Sequence, residues 1–191
     1  MNRGRFLREP SHFSKIGFQC VLEVIPGYET SMRIRPRRAS DRPWVESLLS
    51  EHFGSARLVS RGVLHDEPSL LGLVAERKGV PVGLLLYRIE RDECEVVVLI
   101  ATVRREGIGH ALLGAIEPIA RKAGCRRLWL ITTNDNRGAL VFYRAVGWTQ
   151  VAVHRGAMRE ARRLKPEIPE FGEGGIPIED EIEFELNLEG S

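Results

Sequence analysis

The feature that most constrains this chain is a short glycine-containing loop, Arg104-Arg105-Glu106-Gly107-Ile108-Gly109. The segment before it, Glu93–Ala101, has the β-branched run Val96-Val97-Val98 at its centre, which is typical of a buried strand. The segment after it has apolar residues at spacings of three and four, which predicts a helix with one apolar face. These residues are Ile108, Ala111, Leu112, Ala115, Ile116 and Ile119. The loop is therefore predicted to join a strand to the start of a helix.

A loop of this kind is suited to binding an anion. Glycines let the backbone approach a ligand closely. Free N–H groups at the start of the helix point outward, and the helix dipole favours a negative charge there. Arg104 and Arg105 add positive charge. The predicted ligand is a phosphate or pyrophosphate, although on the loop alone a glycine turn that only joins two elements remains an alternative.

Two phosphate-binding motifs compete with this interpretation. A P-loop requires Gly-x-x-x-x-Gly-Lys-Ser/Thr, and the chain has no such run. A dinucleotide-binding loop requires Gly-x-Gly-x-x-Gly. Gly107 and Gly109 match its first two glycines, Leu112 occupies the third position, and Asp135 follows at a suitable distance. That alternative stays open, but the strands before the loop are predicted to form a hairpin and not the opening of a βαβ unit.

Periodicity along the rest of the chain predicts an α/β fold with a mixed sheet. Helices are expected after Ser40 or Asp41, from Ile108 to about Gly124, from Asn136 through Val146, and over residues 157–165; residues 53–70 give no clear assignment. Strands are expected at Met32–Arg35, Leu71–Glu76, Val82–Ile89, Glu93–Ala101, Leu128–Thr132, Trp148–His154 and Glu181–Leu188, with a hairpin turn at Arg77-Lys78-Gly79.

The predicted periodic structure begins at Met32. Residues 1–31 show no sustained period and are expected to form an irregular N-terminal extension, so Met32 is a candidate for the true start of translation. The domain is then residues 32–191, with a C-terminal loop and strand at 155–188. Residues 1–38 carry eight Arg and Lys, whereas residues 166–191 carry nine carboxylates and no Arg or Lys. We interpret the basic arm as a solvated tail and expect no nucleic-acid partner.

Composition favours a cytoplasmic enzyme. The chain is 43% hydrophobic and 28% charged, and no apolar run approaches the ~20 residues that span a bilayer. Cys20, Cys94 and Cys125 are odd in number and scattered, which fits a reducing compartment. The five histidines, His12, His52, His65, His110 and His154, lack metal-ligand spacing, so we expect no metal. Composition leaves the oligomeric state open between monomer and homodimer.

A second motif follows the next predicted strand, Asn136-x-x-Ala139-x-x-Phe142-Tyr143-x-x-x-Gly147-Trp148. With both motifs present in this order, the chain resembles the GNAT N-acetyltransferase superfamily. That family carries Arg/Gln-x-x-Gly-x-Gly/Ala after its fourth strand and Asn-x-x-Ala-x-x-Phe/Leu-Tyr-x-x-x-Gly-Phe/Trp across its fourth helix. The resemblance covers about residues 32–188.

The resemblance implies a mostly antiparallel mixed sheet, flanked by helices, whose two central strands splay apart to hold acetyl-CoA. The pantetheine arm is then expected to bond the backbone around Leu99, Ala101 and Val103. Asn136 is expected near this arm, and Tyr143 near the thioester sulfur. The pyrophosphate is expected on backbone N–H groups of Arg104, Arg105, Glu106, Gly107, Ile108, Gly109 and His110.

The implied reaction is transfer of an acetyl group from acetyl-CoA to a primary amine of a small molecule or peptide, in a ternary complex. Tyr143 can protonate the departing thiolate, since tyrosine is protonated at pH 7. Glu95, or Glu93 beside it, can serve as the base through water. Family members that acetylate ribosomal proteins usually carry a glutamate where this chain has Ile131, which argues against that substrate. A non-catalytic acyl-CoA sensor is the alternative function.

The segment between His154 and Glu181 adds most to a minimal domain of this family. It begins with a basic helix and continues through several prolines and glycines. We expect it to form a wall or lid of the acceptor cleft, where its carboxylates would attract a cationic amine; a solvated flap is the alternative. These carboxylates are Glu167, Glu170, Glu173, Glu179 and Asp180.

Overall fold

The computed structural model describes residues 32–189, which form a mixed sheet with helices on both faces. The predicted extension, residues 1–31, lies outside the described residues, so its structure and the role of Met32 as a start stay predictions. The strands are β1 Met32–Pro36, β2 Arg57–Ser60, β3 Val63–Asp66, β4 Leu71–Arg77, β5 Val80–Glu90, β6 Glu93–Ala101, β7 Arg127–Thr133, β8 Thr149–His154 and β9 Glu181–Asn187. The helices are α1 Arg42–Phe53, α2 Ile108–Lys122, α3 Arg137–Ala145 and α4 Ala157–Leu164.

The main sheet has the order β1-β4-β5-β6-β7-β9-β8, and β2 and β3 form a separate hairpin. All neighbours in the main sheet are antiparallel except β6 and β7. One apolar cluster fills the face under α2 and α3, and a second fills the face under α1. The expected mixed, mostly antiparallel sheet flanked by helices is confirmed.

The two central strands diverge along their length. β6 pairs with β5 along all of its length, from Glu93 to Ala101. With β7 it pairs only from Glu93 to Val96, opposite Arg127 to Leu130. Both strands continue beyond this point, to Ala101 and Thr133, with no further pairing between them. The splay expected from the resemblance is therefore present, and it leaves one backbone edge of each strand open.

A β-bulge lies where the divergence begins. Tyr87 of β5 pairs with Val96, and Leu86, which precedes Tyr87, pairs with Val98. Val97 is therefore the extra residue. The bulge reverses the alternation of side chains along β6. Val96 packs in the cluster under α2, whereas Val98 packs in the cluster under α1. A simple alternating strand would have placed both on one face.

The region that gave no clear assignment, residues 53–70, contains the β2–β3 hairpin. Its two strands have four residues each and are joined by Arg61 and Gly62, which both have positive φ. The hairpin contacts the rest of the domain through Leu58, which is buried in the cluster under α1, and through polar contacts of Ser60 and Arg61. These contacts place it over the same sheet face as α1, next to the open end of β6 and β7.

Two glycine-to-alanine changes should have opposite effects on stability. A Cβ on Gly83 would lie 2.4 Å from Cγ2 of Ile108, so Gly83→Ala would force β5 and α2 apart. We expect it to lower the free energy of unfolding by about 1–3 kcal/mol, as overpacking does. Gly114 lies in α2 with open space at its Cβ position, so Gly114→Ala should raise that energy by about 0.5–1 kcal/mol. Urea denaturation would measure both, and equal effects of the two changes would contradict the close packing at Gly83.

Candidate active site

The divergence of β6 and β7 opens a cavity of about 460 Å³. Its walls include residues 96–99 of β6, residues 131–133 of β7, Asn136 at the start of α3 and Tyr143 in its last turn. The remaining walls come from the end of α1, the β2–β3 hairpin, α4, the segment after α4 and the start of β9. Residues far apart in sequence therefore meet at the place where the sheet is unpaired.

The glycine loop lies beyond the end of β6 and is open to solvent. Gly107 has φ +74° and is the N-cap of α2, and no side chain caps this helix. Arg105 also has a positive φ, +63°. The guanidinium groups of Arg104 and Arg105 are exposed and form no ion pair with any residue in 32–189. An uncapped helix start beside two unpaired cations is a favourable place for an anion.

The loop is fastened to the sheet at one point. Glu106 forms an ion pair with Arg77 of β4, and Nη2 of Arg77 also donates to the Glu106 carbonyl at 3.2 Å. Because the Glu106 side chain is paired with Arg77, the backbone N–H of Glu106 is the group that would donate to the predicted anion. A Cβ on Gly109 would lie 3.2 Å from Cζ of Phe142, so the start of α2 packs closely on α3.

The other predicted cofactor residues lie along the open edge or beside it. Leu99 and Ala101 are half-buried on the unpaired part of β6, and Leu99 lines the cavity. Val103 is exposed just beyond the strand, and His110 is exposed in the first turn of α2. Asn136 is the N-cap of α3, as its sequence position predicted, and its Oδ1 accepts from the Ala139 N–H at 3.1 Å.

Tyr143 lies on the cavity wall with only 8% of its surface exposed. Its ring packs against Phe184 of β9, with ring centroids 5.5 Å apart, and against Phe142 and Trp148. Burial raises the pKa of its phenol well above the usual value. The phenol is thus protonated at neutral pH, as a proton donor must be.

Glu95 is 2% exposed and its carboxylate is fully engaged. Ser60 Oγ donates to one carboxylate oxygen at 2.5 Å, and Arg88 Nε donates to the other at 2.5 Å. Glu95 lines not the cavity between β6 and β7 but a second one of about 440 Å³, beside Arg88 and Trp129. Its neighbour Glu93 pairs with Arg127. The role of Glu95 as the base stays a prediction.

Two further buried carboxylates lie on β9, and the sequence analysis did not select them. Glu183 accepts from Arg127 at 3.0 Å on one oxygen, and from Arg61 at 2.6 Å and His154 at 2.8 Å on the other. Glu181 is 2% exposed, lines the cavity, and has a pKa raised by burial. Their alternation with apolar residues is that of a half-buried strand, whose polar face is ordinarily solvated. The hairpin covers that face, and only the tertiary structure shows this.

The segment after α4 forms part of the cavity wall. Lys165 is 3% exposed, and its Nζ donates to the carbonyls of Phe53 at 2.7 Å and Arg57 at 2.6 Å. Burial lowers the pKa of Lys165. Arg162 donates to the carbonyls of Pro169 and Ile178, each at 2.7 Å. These contacts tie both ends of the loop to the domain.

Of the carboxylates expected to face the cleft, Glu167 lines the cavity. Glu170 and Glu179 are exposed elsewhere, and Asp180 accepts from the Gly156 N–H at 2.9 Å. The side chain of Glu173 lies outside the described part of the chain. Asp135, the residue that kept the dinucleotide alternative open, is buried beneath Gly172, where a Cβ would overlap its carboxylate.

Four of the five histidines are dispersed over residues 32–189, and His12 lies outside the described residues. His52 lines the cavity and His154 bonds to Glu183, whereas His65 is buried in the hairpin, where burial lowers its pKa. Within this range no group of three His, Cys, Asp or Glu residues is arranged to hold a metal ion. In the same range, no helix combines the length and the apolar composition that a membrane crossing requires.

Comparison with known proteins decides the family. The model of the acetyltransferase (GNAT) family matches residues 32–148, which include the glycine loop and the Asn136–Trp148 motif. The chain belongs to the GNAT family. A relative from Bacillus subtilis strain 168, YdhI, is 39% identical over 155 residues, which are 80% of this chain and 96% of YdhI.

Solved GNAT structures share the fold. The IAA acetyltransferase from Bacillus cereus has a TM-score of 0.67 at 22% identity, over 83% of this chain and 100% of that one. A GNAT family acetyltransferase from Elizabethkingia anophelis, solved with acetyl-CoA bound, has a TM-score of 0.62 at 16% identity, over 82% and 98% of the two chains. At these identities the likeness concerns the fold and not the acceptor.

The buried ammonium of Lys165 should contribute to stability. Lys165→Met keeps most of the side-chain volume but leaves the carbonyls of Phe53 and Arg57 without their donor. We expect the free energy of unfolding to fall by about 1–3 kcal/mol, the usual cost of an unsatisfied buried polar group. Lys122 is exposed at the end of α2, so Lys122→Met should change it by less than about 0.5 kcal/mol. Chemical denaturation compares the two, and a neutral Lys165→Met would contradict this anchoring role.

Proposed function

We propose that this protein is an N-acetyltransferase that moves the acetyl group of acetyl-CoA to a primary amine of a small molecule or peptide, by direct attack in a ternary complex. The observation that carries the proposal is the divergence of β6 from β7 beside an uncapped helix start. The open edge of β6 offers backbone partners for an amide-bearing arm, and the helix start offers N–H groups for a pyrophosphate.

The cofactor is proposed to lie along these two features in order. Its pantetheine amides would bond the backbone near Leu99, Ala101 and Val103, as an added strand does. Its pyrophosphate would accept from the N–H groups of residues 104–110, with Arg104 and Arg105 supplying charge. Support comes from the exposure and the unpaired state of both guanidinium groups within residues 32–189.

Tyr143 is proposed to protonate the thiolate of CoA as it leaves. The side chain lines the cavity, and burial keeps its phenol protonated. A backbone N–H at the bulged part of β6, around Val97 and Val98, would stabilise the oxyanion that forms on the carbonyl. Both groups are positioned by packed strands and helices and not by mobile loops, which favours a preorganised site.

The proposed reaction takes place in the cytoplasm. Cys94 and Cys125 are buried free thiols, and burial raises the pKa of Cys94 to about 12. Thiols that stay protonated and unpaired fit a reducing compartment. A ribosomal protein is not the proposed acceptor, since Ile131 stands on the cavity wall where glutamate would be expected for that substrate.

Acetyl-CoA should raise the melting temperature, because a ligand that binds only the folded state stabilises it. Gly107→Val should abolish the shift, since Gly107 has φ +74° and a side chain there would occupy the anion site. Gly109→Leu should do the same by crowding Phe142. Gly114→Ala, on the same helix but remote from its start, is the matched control and should keep the shift. Differential scanning fluorimetry makes the measurement.

If acetyl-CoA still raises the melting temperature of both Gly107→Val and Gly109→Leu, the cofactor binds elsewhere. The same conclusion holds if Gly114→Ala loses the rise. A shift with NAD in place of acetyl-CoA would restore the dinucleotide interpretation. A normal shift with no thiol release in the presence of any amine would favour the acyl-CoA sensor.

Tyr143→Phe removes the phenol proton and keeps the ring. General acid catalysis contributes typically 10²–10⁴-fold, so turnover should fall by about that factor while the acetyl-CoA-induced shift is unchanged. Tyr87 is the matched control, because it is equally buried but lies in β5 away from the cavity. Tyr87→Phe should leave turnover within about twofold, since it removes no group from the reaction. If Tyr143→Phe behaves like Tyr87→Phe, another group protonates the thiolate.

A further inference from the structure

The cavity between β6 and β7 is lined by residues from both faces of the sheet. Tyr143 packs on Phe184, whose side chain lies in the cluster under α2 and α3. The alternate residues of β9, Glu181 and Glu183, project from the opposite face, where Glu183 meets Arg61 of the hairpin. Tyr143 and Glu181 both line the cavity, so residues from both faces of the sheet contribute to its wall. The proposed cofactor site occupies the side of α2 and α3, which leaves the hairpin side for the second substrate.

We propose that the acceptor is a primary amine carried on an apolar body, that it enters on the hairpin side, and that the Glu181 carboxylate binds its ammonium and takes its proton. This inference rests on the proposed function. It assigns to Glu181 a catalytic role that the sequence analysis gave to Glu95.

Of the three buried carboxylates Glu95, Glu181 and Glu183, Glu181 alone has no cationic partner within residues 32–189. Both oxygens of Glu95 are engaged by Ser60 and Arg88, and both oxygens of Glu183 are engaged by cations. Glu181 forms no ion pair with any residue in 32–189 and lies on the cavity wall. A buried carboxylate without a cation costs free energy that an incoming ammonium would offset.

The groups around Glu181 together raise its pKa above that of an exposed glutamate. Burial is the largest influence and raises its pKa, and Glu95 of β6 acts in the same direction. A backbone hydrogen bond and the charge from Arg61 of the hairpin, together with His154 of β8, act in the opposite direction. Glu183, the next residue on this face, is neutralised by Arg61, Arg127 and His154. The net effect is a raised pKa, which is what a general base needs.

Part of the cavity wall on the hairpin side is apolar. Met158 and Ile178 are buried together with Val59 and Ile168 in a small cluster that joins the hairpin, α4 and the following loop. All four line the cavity, and Phe53 extends the same wall. An acceptor with an apolar body would bury surface here, whereas a small polar amine would leave the wall in contact with water.

The reaction then balances with the groups present. Glu181 takes one proton from the ammonium, and the free amine attacks the thioester carbonyl to form the C–N bond. As the C–S bond breaks, the sulfur takes the Tyr143 phenol proton, and the second proton of the nitrogen restores the phenol. Glu181 releases its proton to water. The products are the N-acetyl amine, CoA thiol and one proton.

The test is the pH dependence of kcat/KM for the wild type and Glu181→Gln, with hexylamine as the probe. At pH 7 we expect the variant to be about 10²–10⁴-fold slower. That deficit should shrink as the pH approaches the pKa of the free amine, about 10.4 as for lysine, because the amine then needs no base. A purely structural role would give a deficit that does not depend on pH. Glu179→Gln, exposed two residues away, is the matched control and should follow the wild type.

Two further variants make the outcome decisive. Glu95→Gln separates the two candidate bases. If Glu95→Gln shows a rate deficit at pH 7 that shrinks at alkaline pH, and Glu181→Gln shows no such deficit, the inference is overturned. Glu181→Asp retains a carboxylate and should recover part of the rate with a normal acetyl-CoA-induced shift, which covers the case in which Glu181→Gln does not fold. If Glu181→Gln and Glu181→Asp both match the wild type, Glu181 is not the base.

Acceptor class is tested with straight-chain amines from propyl to hexyl. Each added methylene should raise kcat/KM by up to about fourfold, which corresponds to ~0.8 kcal/mol per buried CH₂. A flat or falling series overturns the assignment of an apolar body. If the wild type acetylates no amine at any pH, the proposed function fails, and this result is distinct from equal rates in the wild type and the Glu181 variants.

Discussion

The parting of β6 from β7 is the constraint on which the rest of the structure depends. Strands paired along their full length would satisfy their backbone groups and close the sheet. Here the pairing ends at Val96 and Leu130, where the bulge at Val97 turns β6 away. The open edge and the cavity, with walls from both faces of the sheet, follow from this one break. The glycine loop and the start of α2 lie where β6 ends, so the anion site and the open edge are continuous.

Polar contacts fix the hairpin on this side of the cavity, in addition to the apolar packing of Leu58 and Val59. Ser60 and Arg61 of the hairpin bond to Glu95 and Glu183, and Lys165 bonds to the carbonyls before and at the start of β2. Buried ion pairs add little net stability, because desolvation opposes the attraction. They do specify an arrangement, since a displaced hairpin would leave charges buried and unpaired. This network leaves Glu181 without a cation among the described residues, and we therefore infer that the acceptor supplies it.

Local pattern predicted the elements that carry the cofactor motifs well. β6 spans Glu93–Ala101 as predicted, α2 begins at Ile108, and Asn136 caps α3. In each case the signal lies within one continuous segment, through an apolar period, a glycine or a capping residue. The family and the fold class followed from these motifs and are confirmed.

The features that the sequence could not predict depend on contacts between residues far apart in the chain. The hairpin strands are too short for a period, and Glu181 alternates with apolar residues as an exposed glutamate would. Its burial depends on a hairpin about 120 residues earlier in the chain, which no local pattern encodes. The bulge at Val97 was likewise invisible, because Val96-Val97-Val98 looks the same with or without it. The roles of Tyr143, Glu95 and the loop residues remain predictions that the fold accommodates.

The most direct test of the account is amide hydrogen exchange with and without acetyl-CoA. If the cofactor adds to the open edge of β6, exchange should slow at the amides of residues 97–101 that point towards β7 and at residues 104–110 of the loop. Exchange in β4, which is paired on both sides, should slow by no more than the general gain in stability on binding acetyl-CoA. Slowed exchange confined to other parts of the chain, or none at saturating acetyl-CoA, would contradict the claim that the parted strands are the cofactor site.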